Sequence, residues 1–329
     1  MLTGSLPMFV EGLVSTIIPV HNRPSLLREA VASVLAQTYR PIEVIVVNDG
    51  SNDETGREAE ALAQSYPEVR VIHRQNGGPG AARETGRLAA RGEFIQYLDS
   101  DDLLLPKKFA LQVAGLRQHD DCAVSYGKTR FYHYGERPID VAWKRTGERI
   151  STMFPSFLQS RWWDTSTPLY RREVTDLAGP WTRLLNEEDW EYDCRVAAKS
   201  GRLHYCDTFV SDTRLTSGSQ LSAGGSREPG KLSDRVGAHA LIFRHALAAG
   251  ITHQTPEMQH FARELFLLAR QCGAAGLSDA ARTAFELARQ ASGTERGRGL
   301  DFFLYGACAR LVGWRAVGRM ACRLDRLRA

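Results

Sequence analysis

The 329-residue chain has only six cysteines (Cys122, Cys194, Cys206, Cys272, Cys308 and Cys322), and no two of them form a Cys-x-x-Cys pair. That scatter argues against a thiolate metal site and a disulfide framework, and reads as thiols in a reducing compartment. Long apolar runs are also missing. No stretch reaches the roughly 18 uninterrupted apolar residues that a membrane-spanning helix needs. Residues 1–12 lack a basic segment followed by a long apolar run, so they read as a short leader and not as a secretory signal. The expected location is therefore cytoplasmic. The net charge is only +4, too small by itself to suggest nucleic acid binding, which needs a clustered basic face. No Gly-Lys-Ser/Thr follows the glycines at 77–80, which excludes a Walker A loop.

What is present is an ordinary globular composition, 43% hydrophobic and 24% charged. The length suits one large α/β domain with an appendage. The charge is uneven: from Lys231 onward, 15 basic residues stand against 8 acidic ones.

Residues 13–20 (LVSTIIPV) and 42–48 (IEVIVVN) read as buried β-strands, rich in β-branched residues. Shorter strands are expected at 69–73, 94–98 and 123–126. Between them, Pro24 opens a helix whose apolar face is Leu27, Val31, Val34 and Leu35. Further helices are expected at 54–66, at 81–91 after a glycine-rich loop at 75–80, from Pro106 onward, and at 187–198. Strands alternating with helices imply a parallel, doubly wound sheet, whose ligands bind beyond the carboxyl ends of the strands. The polar clusters at 19–23, 48–51 and 99–102 all fall on that rim. Beyond Phe131 the pattern loosens. Residues 217–230 are rich in Ser and Gly and read as a linker, and only helices are expected after it, including a pair at 258–271 and 279–290.

Asp99-Ser100-Asp101-Asp102 carries the most chemistry. In an extended chain Asp99 and Asp101 share a face and Asp102 points elsewhere. Three carboxylates so close repel one another unless a cation or other donors are near. Mg2+ or Mn2+ suits such oxygens, with a substrate diphosphate completing the shell. The plainer reading is an acidic cap on a helix over 103–109. Asp49 could accept a hydrogen bond from a nucleobase, or Asn48-Asp49-Gly50-Ser51 could be only a strand–turn–helix cap. The loop at 76–80 with Arg83 could hold an anion ahead of a helix, or be a connector. Glu188 and Asp189 could supply a general base, or satisfy the helix dipole. Trp162 and Trp163 could stack on a sugar, or pack in the core. Arg214, with Ser217 and Ser219, could meet phosphate oxygens, or lie in a solvated loop.

These pieces, in this order, resemble the inverting family 2 glycosyltransferases of GT-A fold. The matching text is Val14 through Asn22, Asn48-Asp49-Gly50-Ser51, Asn76 through Arg83, Asp99 through Asp102, and Glu188-Asp189-Trp190-Glu191, within residues 13 to 220. The resemblance implies an α/β GT-A fold, Rossmann-like with a mostly parallel central sheet, and a helical C-terminal extension. The expected domains are 1–12, 13–225 and 226–329. It further implies that Pro19, Val20, Asn22, Asp49, Arg83, Asp99, Ser100 and Asp101 bind the donor nucleotide, uracil most often. Asp101 and Asp102 would hold Mn2+ or Mg2+, and Asp189 would be the catalytic base. Trp162, Trp163, Glu188, Trp190 and Arg214 are candidates for acceptor or diphosphate contacts. Two positions depart from the family's pattern: Asn48 replaces an acid, and Glu84 stands where Asn is common.

The expected reaction moves a sugar from a nucleotide-sugar donor to a glycan or lipid-linked acceptor, in surface polysaccharide synthesis. A nucleotidyltransferase and a non-catalytic nucleotide-sugar-binding adaptor are the rival readings. The tail at 300–329 interleaves large apolar residues with arginines and could lie on the inner face of the cell membrane as a peripheral contact, or pack on the rest of the chain.

Overall fold

The computed structural model describes residues 9–216 and 228–328. Ser217, Ser219 and the expected boundary at 225/226 lie outside the described residues. Two compact units emerge, interleaved along the chain. The first takes the described residues to Thr152, then Trp162–Arg183, then Lys199 to the end of the last strand; the second takes Met153–Arg161, Leu184–Ala198 and the described residues from Glu228.

The first unit is built on β1 (Val10–Val20), α1 (Pro24–Leu35), β2 (Ile42–Asp49), α2 (Thr55–Ser65), β3 (Val69–Arg74), α3 (Gly78–Ala89) and β4 (Gly92–Tyr97). Then come β5 (Leu103–Leu104), α4 (Lys108–Gln118), β6 (Val124–His133), β7 (Leu169–Arg171), α5 (Arg172–Ala178) and β8 (Leu203–Leu215). One eight-stranded sheet results, in the order β3-β2-β1-β4-β7-β6-β8-β5. The β3-β2-β1-β4 half is parallel, with Ile17 opposite both Ile45 and Tyr97. In the other half β7 runs antiparallel to β4 and β6, while β8 is parallel to β6 and antiparallel to β5. Strands covered on both faces explain the unbroken apolar text of β1 and β2. Leu27, Val31 and Val34 of α1 pack with Val44, Val46, Phe94 and Phe109 in one core. Gly86 lets α3 lie close on β1, since a Cβ there would stand 2.3 Å from Ile17 Cγ2.

Several expectations shift. α3 begins at Gly78, three residues early, because Pro79 is accommodated in its first turn. Pro106 sits in the turn before α4, which starts at Lys108. Leu103–Leu104 pairs with β8 as a strand, so the helix-cap reading of the acidic run fails. β6 extends to His133, well past the expected end.

The second unit holds most of α6 (Glu188–Ser200), then α7 (Pro229–Ala248), α8 (Pro256–Ala275), α9 (Ser278–Ser292), α10 (Leu300–Val312) and α11 (Trp314–Arg328). α8 and α9 form the expected pair, joined through Gly276 in the left-handed conformation at φ 87°. The tail is two helices broken at Gly313. Phe302 and Tyr305 of α10 pack on Phe266 and Phe285, and Trp314 of α11 packs on Phe285 and Tyr305. Gly273 and Gly318 let α8 and α11 touch at backbone distance. No helix among the described residues is long and apolar enough to cross a membrane.

Candidate active site

The chain leaves the buried β1 at Val20 and turns sharply at Asn22, whose φ is 53°. Asn22 accepts a hydrogen bond from Asn52 N at 2.9 Å, and its own N–H donates to Ser51 Oγ at 3.0 Å. His21 Nδ1 lies 3.0 Å from the Asp49 carbonyl. The ends of β1 and β2 are thus tied into one rim. Val20 itself packs in the core.

Asp49 stands at the end of β2, buried. Its carboxylate accepts from Gly77 N at 3.1 and 3.2 Å, from Gly78 N at 2.8 Å, and from Arg74 Nη1 at 2.9 Å. The glycine-rich loop ahead of α3 does hold an anion, as such loops do, but the anion is the chain's own Asp49.

The acidic run is a turn closed by Asp102 N donating to Asp99 O at 3.0 Å, not an extended segment. The three carboxylates still diverge, for a different reason than strand alternation. Asp99 pairs with Arg83 at 2.7 Å, and Arg83 lies 4.8 Å over the Trp181 ring. Asp101 pairs with Arg23 at 2.7 Å. Asp102 is turned inward, accepting from Ser166 Oγ at 3.0 Å and Arg214 N at 3.1 Å. Ser100 is buried between them. Burial, then the charges of Asp101, Asp99 and Asp164, push the Asp102 carboxyl well above the usual range. Burial also raises Asp101; Arg23 opposes that rise and Asp99 adds to it.

Among the described residues no group of three or more His, Cys, Asp or Glu side chains is arranged to hold a metal. Asp102, expected beside Asp101 as a metal ligand, is turned inward and bonded to Ser166 and the Arg214 backbone. Asp99 and Asp101 still fit a hard dication. They are oxygen donors at a strand end, and a substrate's phosphate oxygens would complete the shell.

Arg214, on β8, closes this side. Its Nε donates to the Asp101 carbonyl at 2.6 Å and its Nη1 pairs with Glu29. Tyr134 OH donates to the same Glu29 at 2.8 Å. The Arg214 Nη2 is buried and has no hydrogen-bond partner among the described residues. Glu84, the residue that departs from the family pattern, accepts from Arg87 at 2.8 and 2.9 Å.

In the second unit Asp189 opens α6. Its Oδ1 accepts from Trp190 N at 2.7 Å and its Oδ2 from Arg161 Nη1 at 2.5 Å. Arg161 Nε also donates to Asp193 Oδ2 at 2.7 Å. Glu188 is buried. Trp190 Nε1 donates to Phe157 O at 2.8 Å, and the indole meets His239 and Phe261 edge-on. Burial works against the charge of Glu187, but His239 and Arg235 outweigh it and hold that carboxyl below its usual range.

Trp162 and Trp163 are corrected to core residues: they are 1% and 0% exposed, so neither has a face for a sugar. Arg145 stacks on Trp162, and Tyr126 meets Trp163. The residues that sequence reasoning passed over are cations and their partners: Arg23, Arg74, Arg161 and Glu29. Arg23 and Arg161 each sit directly beside a singled-out residue, which is the only sequence signal for them.

The family described as glycosyl transferase family 2 matches residues 15–174. The glycosyltransferase YibD of Escherichia coli is 33% identical over 167 residues, 49% of this chain and 48% of that protein. The glycosyltransferase GlyG of Streptococcus pneumoniae is 34% identical over 137 residues, 41% of this chain and 44% of that protein. The chain spans less than half the length of the curated relatives it matches. Among solved structures, S. aureus TarS 1-349 in complex with UDP-GlcNAc superposes with a TM-score of 0.68 at 20% identity, covering 95% of this chain and 92% of that one. The mannosyltransferase PcManGT of Pyrobaculum calidifontis, in complex with GDP-Man and Mn2+, gives a TM-score of 0.52 at 18% identity, covering 95% and 86%.

Proposed function

The chain belongs to glycosyltransferase family 2 through the domain at residues 15–174 and has the GT-A fold, and from that premise we propose that it transfers a sugar, with inversion, from a UDP-sugar to a hydroxyl of a glycan or lipid-linked acceptor. The observation that carries this reading is the acidic turn at the sheet rim, with the partnerless Nη2 of Arg214 beside it. Carboxylates and an unsatisfied guanidinium donor next to one another suit a diphosphate and its counter-cation. TarS crystals in complex with UDP-GlcNAc and with UDP support a uridine donor.

Asp99 and Asp101 would hold Mn2+ or Mg2+, which when bound neutralises charge on the departing diphosphate. Arg214 Nη2 would donate to a diphosphate oxygen. Asp49 would hold the loop at 74–78 in place and contact the base, with Asn22 and Arg83 on the nucleotide side. Asp189 would take the proton from the acceptor hydroxyl as that oxygen attacks the anomeric carbon; the sugar–phosphate bond breaks and its electron pair leaves with the nucleoside diphosphate. Most of the acceleration would come from positioning and from stabilising the leaving charge.

The acceptor side would meet the inner face of a membrane, in surface polysaccharide synthesis. Support comes from α10, which is apolar on two faces. Phe302, Tyr305 and Ala309 are buried, while Leu300, Phe303, Leu304 and Leu311 are exposed, Leu311 by 84%. Arg310 of α10 and Arg315, Arg319 and Arg323 of α11 are exposed as well. An apolar strip with arginines at its margin suits an anionic lipid surface.

The test is a thermal-shift screen of nucleotide sugars with and without Mn2+. A UDP-sugar that raises Tm only with the metal is the expected result; equal shifts from all nucleotides, with or without metal, would falsify the donor assignment.

A further inference from the structure

The mechanism above does not use Arg161, although it pairs directly with the proposed base. Its Nη1 reaches Asp189 Oδ2 at 2.5 Å and its Nε reaches Asp193 Oδ2 at 2.7 Å. Asp189 and Asp193 are four apart on α6, so they lie on one face of the helix and repel each other. The guanidinium between them is a fork whose rigid geometry answers two carboxylates at once. Asp193 is 0% exposed, so one prong of the fork is fixed inside the protein. The other prong, together with Trp190 N on Oδ1, fixes the plane of the Asp189 carboxylate.

We propose that Arg161, anchored by Asp193, is a positioning residue that orients Asp189 and sets its strength as a base. This rests on the reading of Asp189 as the base. A cation at hydrogen-bond distance favours the charged carboxylate and typically lowers its pKa by about 1–3 units. Accepting the acceptor's proton neutralises Asp189 and weakens its pairing with Arg161, while Asp193 keeps the guanidinium in place. The other charged groups around α6 are matched among themselves. Glu187 faces Arg235 and His239, and Glu191 faces Arg195 and His245. Glu188, buried, is the acid next to Asp189 in sequence.

The experiment measures kcat/KM against pH for the full chain, with Arg161→Met, Arg161→Lys and the double variant Arg161→Met with Asp193→Asn. The double variant guards against unfolding, since removing Arg161 alone takes a cation away from the buried Asp193 carboxylate. An acidic limb rising to higher pH by about 1–3 units is expected in the Met variants, because an unpaired carboxylate protonates more readily as pH falls. kcat on the plateau should fall about 10- to 100-fold through lost orientation. Arg161→Lys should restore the limb, and the donor's KM should hold in every variant. A folded double variant with the native limb and native kcat overturns the inference, and so does a loss of kcat with the limb unmoved. Asp189→Asn, measured alongside, separates the two claims. If that variant stays active the base assignment fails; if it is inactive while the Arg161 variants keep the native limb, only the positioning role fails.

Discussion

Arg23 Nη1 and Asp101 Oδ2 stand 2.7 Å apart, joining the chain just after β1 to the acidic turn after β4. The guanidinium is a positive charge on the carboxylate that a divalent cation would use, so the two cations compete. Arg23→Gln should tighten Mn2+ binding in the absence of nucleotide by on the order of tenfold, the effect of one like charge removed from a partly solvated site. Calorimetric titration with Mn2+ alone checks it. Unchanged or weaker affinity would show that Arg23 does not oppose the metal.

Asp101 and Asp102 should separate under substitution. Asp101→Ala should abolish Mn2+-dependent binding of UDP. Asp102→Asn keeps a carbonyl for the Arg214 N–H, so it should retain metal-dependent binding within a few-fold. Both are read from the same titration. Equal losses would return Asp102 to the ligand set.

Asp189→Asn removes the proposed proton acceptor and keeps the size. Turnover should fall by on the order of 10²–10⁴-fold, the usual contribution of a positioned base, with UDP-sugar affinity intact. Steady-state kinetics together with donor titration check both halves.

The exposed face of α10 can be tested without touching its buried one. Leu304→Glu with Leu311→Glu should leave Tm within a degree or two, since both side chains face solvent, and should reduce co-sedimentation with vesicles containing anionic lipid. Neutral vesicles should bind the native chain more weakly, because the arginine contribution is electrostatic. Binding that ignores both substitutions and lipid charge would rule out this surface.

Much of the fold is legible from local pattern. β1 and β2 announce themselves because strands buried on both faces must be continuously apolar, and Pro24 marks a helix start because its ring is pre-set for that position. What is hidden is non-local. β5 is two residues long and exists only because Asp212 and Ser211 of β8 lie beside it, so Leu103 and Leu104 read as the start of a helix. The burial of Trp162 and Trp163 depends on Tyr126 and Arg145, which spacing does not reveal. In the site, the acids were visible as a cluster and their partners were not. Arg23 meets Asp101 across 78 positions, and Arg161 meets Asp189 across 28. A carboxylate triplet is conspicuous in a sequence; a single arginine in a chain with many is not.

The interleaving of the two units has a practical corollary for anyone recombining this chain with its relatives. α6 carries Asp189, yet its neighbours come from α7 and α8: Arg235 and His239 meet Glu187, His245 meets Glu191, and Phe261 meets Trp190. A seam placed after β8, which looks natural on the page, would cut through that arrangement. A graft should move α6, α7 and α8 together as one cassette. A fragment trimmed ahead of α7 would keep the rim proposed to bind the donor and lose the scaffold under the proposed base.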